Sequence, residues 1–166
     1  MADKTLAERL FAMNACVLAV NWARDYTDDA VAWRECQRGD WMLWLLGQLD
    51  VDRKRLVLAA CGCARLSLHL VTDGEDRPRI AIETAEAWAR GDGPTWDDVR
   101  RSASAAYAAA ATYEDAAYAA SYAASYAAYA AASAAYAASA AYAAASAASQ
   151  CADIVRTHFP EVPHVQ

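Results

Sequence analysis

Between Thr95 and Phe159 the chain has no glycine and no proline, so the residues that most often end helices are missing from a stretch of more than 60 positions. Positive charge is also scarce. Lysine and arginine number 15 against 21 aspartates and glutamates, giving a net charge of −6 and a pI of about 5.0. That balance excludes a general binder of phosphate backbones and leaves room only for a local basic site. Phosphate loop, dinucleotide fingerprint, nucleophile elbow and catalytic triad are all absent from the sequence. This argues for a protein that is not an enzyme and that needs no cofactor. The five cysteines form an odd set without a small secreted scaffold around them, which points to reduced thiols and a cytoplasmic location. The start, Met1-Ala2-Asp3-Lys4, leads into an amphipathic pattern and does not read as a secretory signal. Ala116 to Ser149 carries no charge and is long enough for a bilayer, but it contains no Leu, Ile, Val or Phe. Its bulky residues are tyrosines whose hydroxyls need partners, so no membrane span is expected.

Of residues 101–150, 29 are Ala, 8 are Tyr and 8 are Ser. Alanine is the best helix former, so the stretch is predicted helical, and the fold class is all-α: a single-domain helical bundle with one long Ala/Tyr/Ser-rich helix or a helix pair. A straight helix of that length would run about 75 Å. A globular chain of this size has a radius of gyration of about 15 Å. The region 95–157 therefore either breaks or supports a homo-oligomer. The best place to break is residues 111–115, where Thr112 and Asp115 have the spacing of a capping box. Projected at about 100° per residue, Tyr107, Tyr118, Tyr122, Tyr126, Tyr129 and Tyr136 share one face. Two readings stand. The stripe straddles the core boundary with wet hydroxyls, or it is a rigid binding surface centred on Tyr122 and Tyr126.

The first 100 residues hold all six tryptophans and most of the charge. Thr5 to Ala23 carries Leu6, Leu10, Met13, Val17 and Val20 as one apolar helical stripe. Thr27 is read as the cap of a helix from Asp28 to about Gln37, and Asp40 as the cap of Trp41 to Leu49. Asp50 or Asp52 opens the next helix, which runs on to Val71. After the loop Asp73-Gly74-Glu75-Asp76, Pro78 suits the first turn of a helix that Gly91 ends. Thr95 and Asp98 form a capping box for the Ala-rich region. Residues 158–166 read as a tail, and no segment shows strand alternation.

The densest local signal is Arg38-Gly39-Asp40-Trp41-Met42-Leu43-Trp44. Trp41 and Trp44 share a helix face, with Trp44 a core anchor and Trp41 suited to stack, with Arg38, on a ligand. Asp52-Arg53-Lys54-Arg55 and Arg77-Pro78-Arg79 are the basic clusters, each near a helix start. If the fold brings them together, Arg55, Arg77 and Arg79 would grip phosphates; otherwise they are solvated ion pairs with Asp50, Asp52, Glu75 and Asp76. Glu83 lies four residues after Arg79 and suits an intrahelical pair. Glu83 and Glu86 together could serve acid–base work, but no nucleophile or metal partner accompanies them. Cys61 and Cys63 point to different faces of a helix and read as buried thiols more readily than as metal ligands with His69.

Three blocks resemble an all-helical family of immunity proteins: Arg38 to Leu46, Arg53 to Cys61 and Arg77 to Trp88. The Ala-Tyr run and the ending Cys151-Ala152-Asp153-Ile154-Val155-Arg156 look like it too. Members of that family occur in bacterial toxin–immunity settings and among phage genes. The resemblance implies neutralisation of a partner, a toxin or a host-defence protein, and it transfers no catalytic motif. A second expectation is a phage sponge that holds a nucleotide immune signal, of cyclic ADP-ribose or cyclic dinucleotide type, without cleaving it. Arg38, Trp41, Arg55, Arg77 and Arg79 would then form its pocket.

Overall fold

A computed structural model of the chain describes residues 4–71, 73–110 and 148–163. Every regular element among them is helical: α1 (Leu6–Ala12), α2 (Val17–Ala23), α3 (Asp29–Glu35), α4 (Gly39–Gln48), α5 (Arg53–Arg65), a 3-10 turn (Leu68–Leu70), α6 (Arg77–Arg90), α7 (Trp96–Ala110) and α8 (Ala148–His158). The fold is all-α, as the alanine content and the absence of strand patterning imply.

Several boundaries follow the predicted chemistry. Asp52 caps α5 by accepting from the Arg55 N–H, Pro78 lies in the first turn of α6, and Gly91 ends that helix at φ 86°. Thr95 and Asp98 exchange capping bonds ahead of α7, with the Thr95 N–H 2.7 Å from the Asp98 carboxylate. Four expectations are corrected. The stripe from Thr5 to Ala23 is two helices, because Asn14 adopts φ 60° and the amides of Asn14 and Ala15 bond back to the Phe11 and Leu10 carbonyls. The cap of α3 is Asp28 rather than Thr27, since its carboxylate accepts from both Ala30 and Val31. Asp40 is not a cap: α4 starts at Gly39, and the Asp40 carboxylate bonds Arg38 instead. The helix opened by Asp52 ends at Arg65, short of Val71.

The described helices share one apolar cluster. Helix α8 packs against both α4 and α5, α6 lies against α5 and α7, and α1 pairs with α2. Met42, Leu43, Leu46, Val57, Ile82, Val99 and Val155 are fully buried. Alanines 59, 60, 64, 81, 85, 103, 106 and 152 are buried with them and let the helices approach closely. The closest approach is at Gly39: a Cβ there would lie 2.7 Å from the Ala152 nitrogen of α8 and overlap Cys151. Among the described residues no helix is long and apolar enough to cross a membrane. The expected break at 111–115 and the Tyr stripe from Tyr118 onward, Tyr122 and Tyr126 included, lie outside the described residues.

Candidate functional site

The helical pair α1–α2 does not close fully on α3 and α4. A groove of about 820 Å³ remains between them, bordered at one side by Val162 of the C-terminal tail. That size suits a site for a small ligand or for several inserted side chains. Its walls are mainly apolar, with Leu6 and Leu10 from α1, Leu18 and Ala19 from α2, and Met42 and Leu45 from α4. Four of the six tryptophans (Trp22, Trp33, Trp41 and Trp44) also line it.

An aromatic row crosses the site. Tyr26 lies 4.6 Å from Trp22, and Trp22 lies 5.9 Å from Trp41, both pairs tilted. The Arg38 guanidinium covers the Trp41 ring at 4.5 Å, a cation–π contact of roughly 0.5–2 kcal/mol. Arg38 is also held edge-on: Nε donates to Asp40 Oδ1 at 2.8 Å and Nη2 to Oδ2 at 2.5 Å. Those bonds keep its pKa above the ordinary arginine value. Local sequence explains the arrangement. Gly39 lets the first turn of α4 press against α8, which fixes the backbone that carries Arg38 and Asp40 on either side of it.

The second ion pair of the groove is formed by Asp29, a lining residue, with Arg9 of α1. The charged residues that line the groove, Asp29, Arg38 and Asp40, are therefore all paired. The thiol of Cys36 lines the groove as well. It donates to the Arg38 carbonyl at 3.6 Å, and burial pushes its pKa up, which keeps it a neutral thiol. The exposed Cys16 lies at the same groove. Such a site offers flat apolar faces and one oriented guanidinium.

Of the residues singled out in the sequence, Arg38 and Trp41 come together here and Trp44 joins them. Arg55, Arg77, Arg79, Glu83 and Glu86 do not line the groove. Arg55 sits in the first turn of α5 over the Phe159 ring at 4.9 Å. Arg77 pairs with Glu75, and Arg79 bonds Asp76 at 2.9 Å and Glu83 at 2.9 Å. Glu86 binds Arg65 in a two-bond fork at 2.7 and 2.8 Å. Cys61 is buried and donates to the Ile82 carbonyl, and among the described residues no group of three His, Cys, Asp or Glu side chains is placed to hold a metal ion. Sequence reasoning missed Trp22 and Leu18; the role of Trp22 depends on its contact with Trp41 of α4, which no local pattern announces.

Large apolar side chains of α1 and α2 are exposed. Leu18, a lining residue, is 67% exposed, and its sequence neighbour Val17 is 72% exposed. Phe11, next to the lining residue Leu10, is 74% exposed. Leu18 thus carries the apolar lining of the groove out to solvent, and a groove with an exposed apolar wall marks an interaction surface more often than an idle one. Compared with protein-family models, curated proteins and solved structures, the chain matches none of them.

Proposed function

We propose that this chain is a non-enzymatic binding protein of immunity or anti-defence type, and that it neutralises a protein partner, a toxin or a host-defence component, by holding it at the groove. The observation that carries this reading is Leu18, which lines the groove yet is 67% exposed, together with the exposed Val17 and Phe11 on the two helices that wall it. A small molecule filling about 820 Å³ would leave those three uncovered; a polypeptide surface would bury them.

The nucleotide-sponge reading draws support from Arg38 stacked on Trp41. It is the weaker of the two. Arg55, Arg77 and Arg79 do not line the groove, and the charges at its walls are matched pairs, which give no field to gather a polyphosphate. Native mass spectrometry of the full chain with nucleotide second messengers, beside pull-down from cells carrying neighbouring toxin or defence genes, separates the two. A partner protein captured by the parent and lost with Leu18→Glu supports the proposal. Retention of one unaltered nucleotide at defined stoichiometry, with no protein captured, overturns it.

A further inference from the structure

A guanidinium presents two parallel N–H forks: one from Nε and Nη2, the other from Nη1 and the second N–H of Nη2. In Arg38 the first fork is occupied by both oxygens of Asp40. The second makes no hydrogen bond among the described residues. The group cannot swing away without losing Asp40 and the Trp41 face together. It is thus a donor fork fixed before any ligand arrives, which reduces the ordering cost of binding. It lines a groove whose other walls are mainly aromatic and aliphatic, with the carboxylates of Asp29 and Asp40 engaged by Arg9 and Arg38.

Resting on the proposed role of the groove, we infer that its occupant is a partner segment that inserts an aromatic side chain beside a carboxylate, with the carboxylate on the free fork of Arg38. A single carboxylate matches the fork in width and in hydrogen-bond number. The ring finds the faces of Trp22 and Trp41, 5.9 Å apart between centroids, on which to pack. A cationic segment would meet the same apolar walls but would face Arg38, and the groove carboxylates Asp29 and Asp40 are already engaged by Arg9 and Arg38. Because Asp40 already balances Arg38, the site selects by geometry and not by net charge. The chain as a whole carries −6, so recognition of an acidic segment gains nothing from long-range steering.

Titration of the ¹⁵N-labelled full chain with indoleacetate, tryptamine and adenosine monophosphate tests this, read at the tryptophan indole N–H resonances. Trp22, Trp41 and Trp44 report on the groove, while Trp88 and Trp96, which do not line it, serve as controls. The expected result is saturable shifts at the groove tryptophans with indoleacetate, at least about tenfold tighter than with tryptamine, as one charge-assisted fork implies. Arg38→Gln with Asp40→Asn, which removes the fork without leaving a bare carboxylate, should reduce that preference to below about threefold. Equal binding of indoleacetate and tryptamine by the parent overturns the carboxylate assignment while leaving the groove a binding site. Adenosine monophosphate binding more tightly than indoleacetate overturns it in favour of a nucleotide. Absence of shifts with all three probes overturns both the inference and the role of the groove.

Discussion

Trp33 and Arg156 clamp α3 to α8 from both directions. The Trp33 Nε1 donates to the Phe159 carbonyl just past the end of α8 at 2.9 Å, and Arg156 Nη1 of α8 donates to the Trp33 carbonyl at 3.2 Å and the Cys36 carbonyl at 2.8 Å. Arg156 thus satisfies carbonyls that the end of α3 would otherwise leave open. Trp33→Phe should strand the buried Phe159 carbonyl and cost about 1–3 kcal/mol in urea unfolding, and Arg156→Met a similar amount. Since both serve one junction, the double variant should cost measurably less than the sum. Strict additivity would show the two bonds to be independent.

Gly39 and Gly62 test the packing of α8 by different routes. Alanine at Gly39 meets the backbone of α8, which cannot yield, so Gly39→Ala should destabilise by about 2–3 kcal/mol despite alanine's better helix propensity. At Gly62 the added Cβ would lie 2.8 Å from Ile154 Cγ2, a side-chain atom. Gly62→Ala should therefore be the milder change, and Ile154→Ala should relieve it. Ile154→Ala should not rescue Gly39→Ala, and thermal melts of Gly39→Ala and Gly62→Ala, each alone and with Ile154→Ala, would reveal any such rescue.

Of the five cysteines only Cys16 is exposed. Burial pushes the Cys61 thiol well above its ordinary range, and the hydrogen bond with Cys151, followed by burial, raises Cys63. An aromatic disulfide reagent should label one thiol quickly in the native protein and five in denaturant, and Cys16→Ser should abolish the fast phase. Because Cys16 lines the groove, an occupant should slow its labelling. Two fast thiols would place a second cysteine at the surface.

His158, the last residue of α8, has its pKa lowered by burial and then by the nearby Arg55. The unfolded chain then binds a proton more readily than the folded one. This contribution to stability is complete above the unfolded value of about 6.5 and is lost as pH falls toward the folded value. The urea midpoint should drop between pH 7.5 and 5.5, and His158→Gln should flatten that drop. An unchanged slope in the variant would assign the pH dependence to other groups.

Legibility in the sequence followed the range of the interaction. Caps built from residues within four positions were readable: Asp52, Pro78, Gly91 and the Thr95–Asp98 box all stand where their chemistry predicts. The Arg79–Glu83 pair was readable for the same reason. Asn14 was missed because its neighbours kept helical spacing while one left-handed residue broke the helix. Asp40 was misread because a cap and an ion pair with Arg38 look alike in one dimension. Arg38 and Trp41 were found as a local motif, but the groove that makes them a site needs Trp22 from another helix. Arg77 and Arg79 were read two ways, and pairing with nearby carboxylates is what the structure contains.

The Trp33–Phe159 bond spans 126 residues. During synthesis, at about 5–20 residues per second, Trp33 therefore waits roughly 6 to 25 s for its acceptor to be made. Over that interval α4 and α5 exist without the helix that fills the space between them, and Gly39 faces an unoccupied seat. The nascent chain is a receptor for its own late segment, and its exposure to chaperones and proteases is set by the time needed to translate the alanine-rich stretch in between.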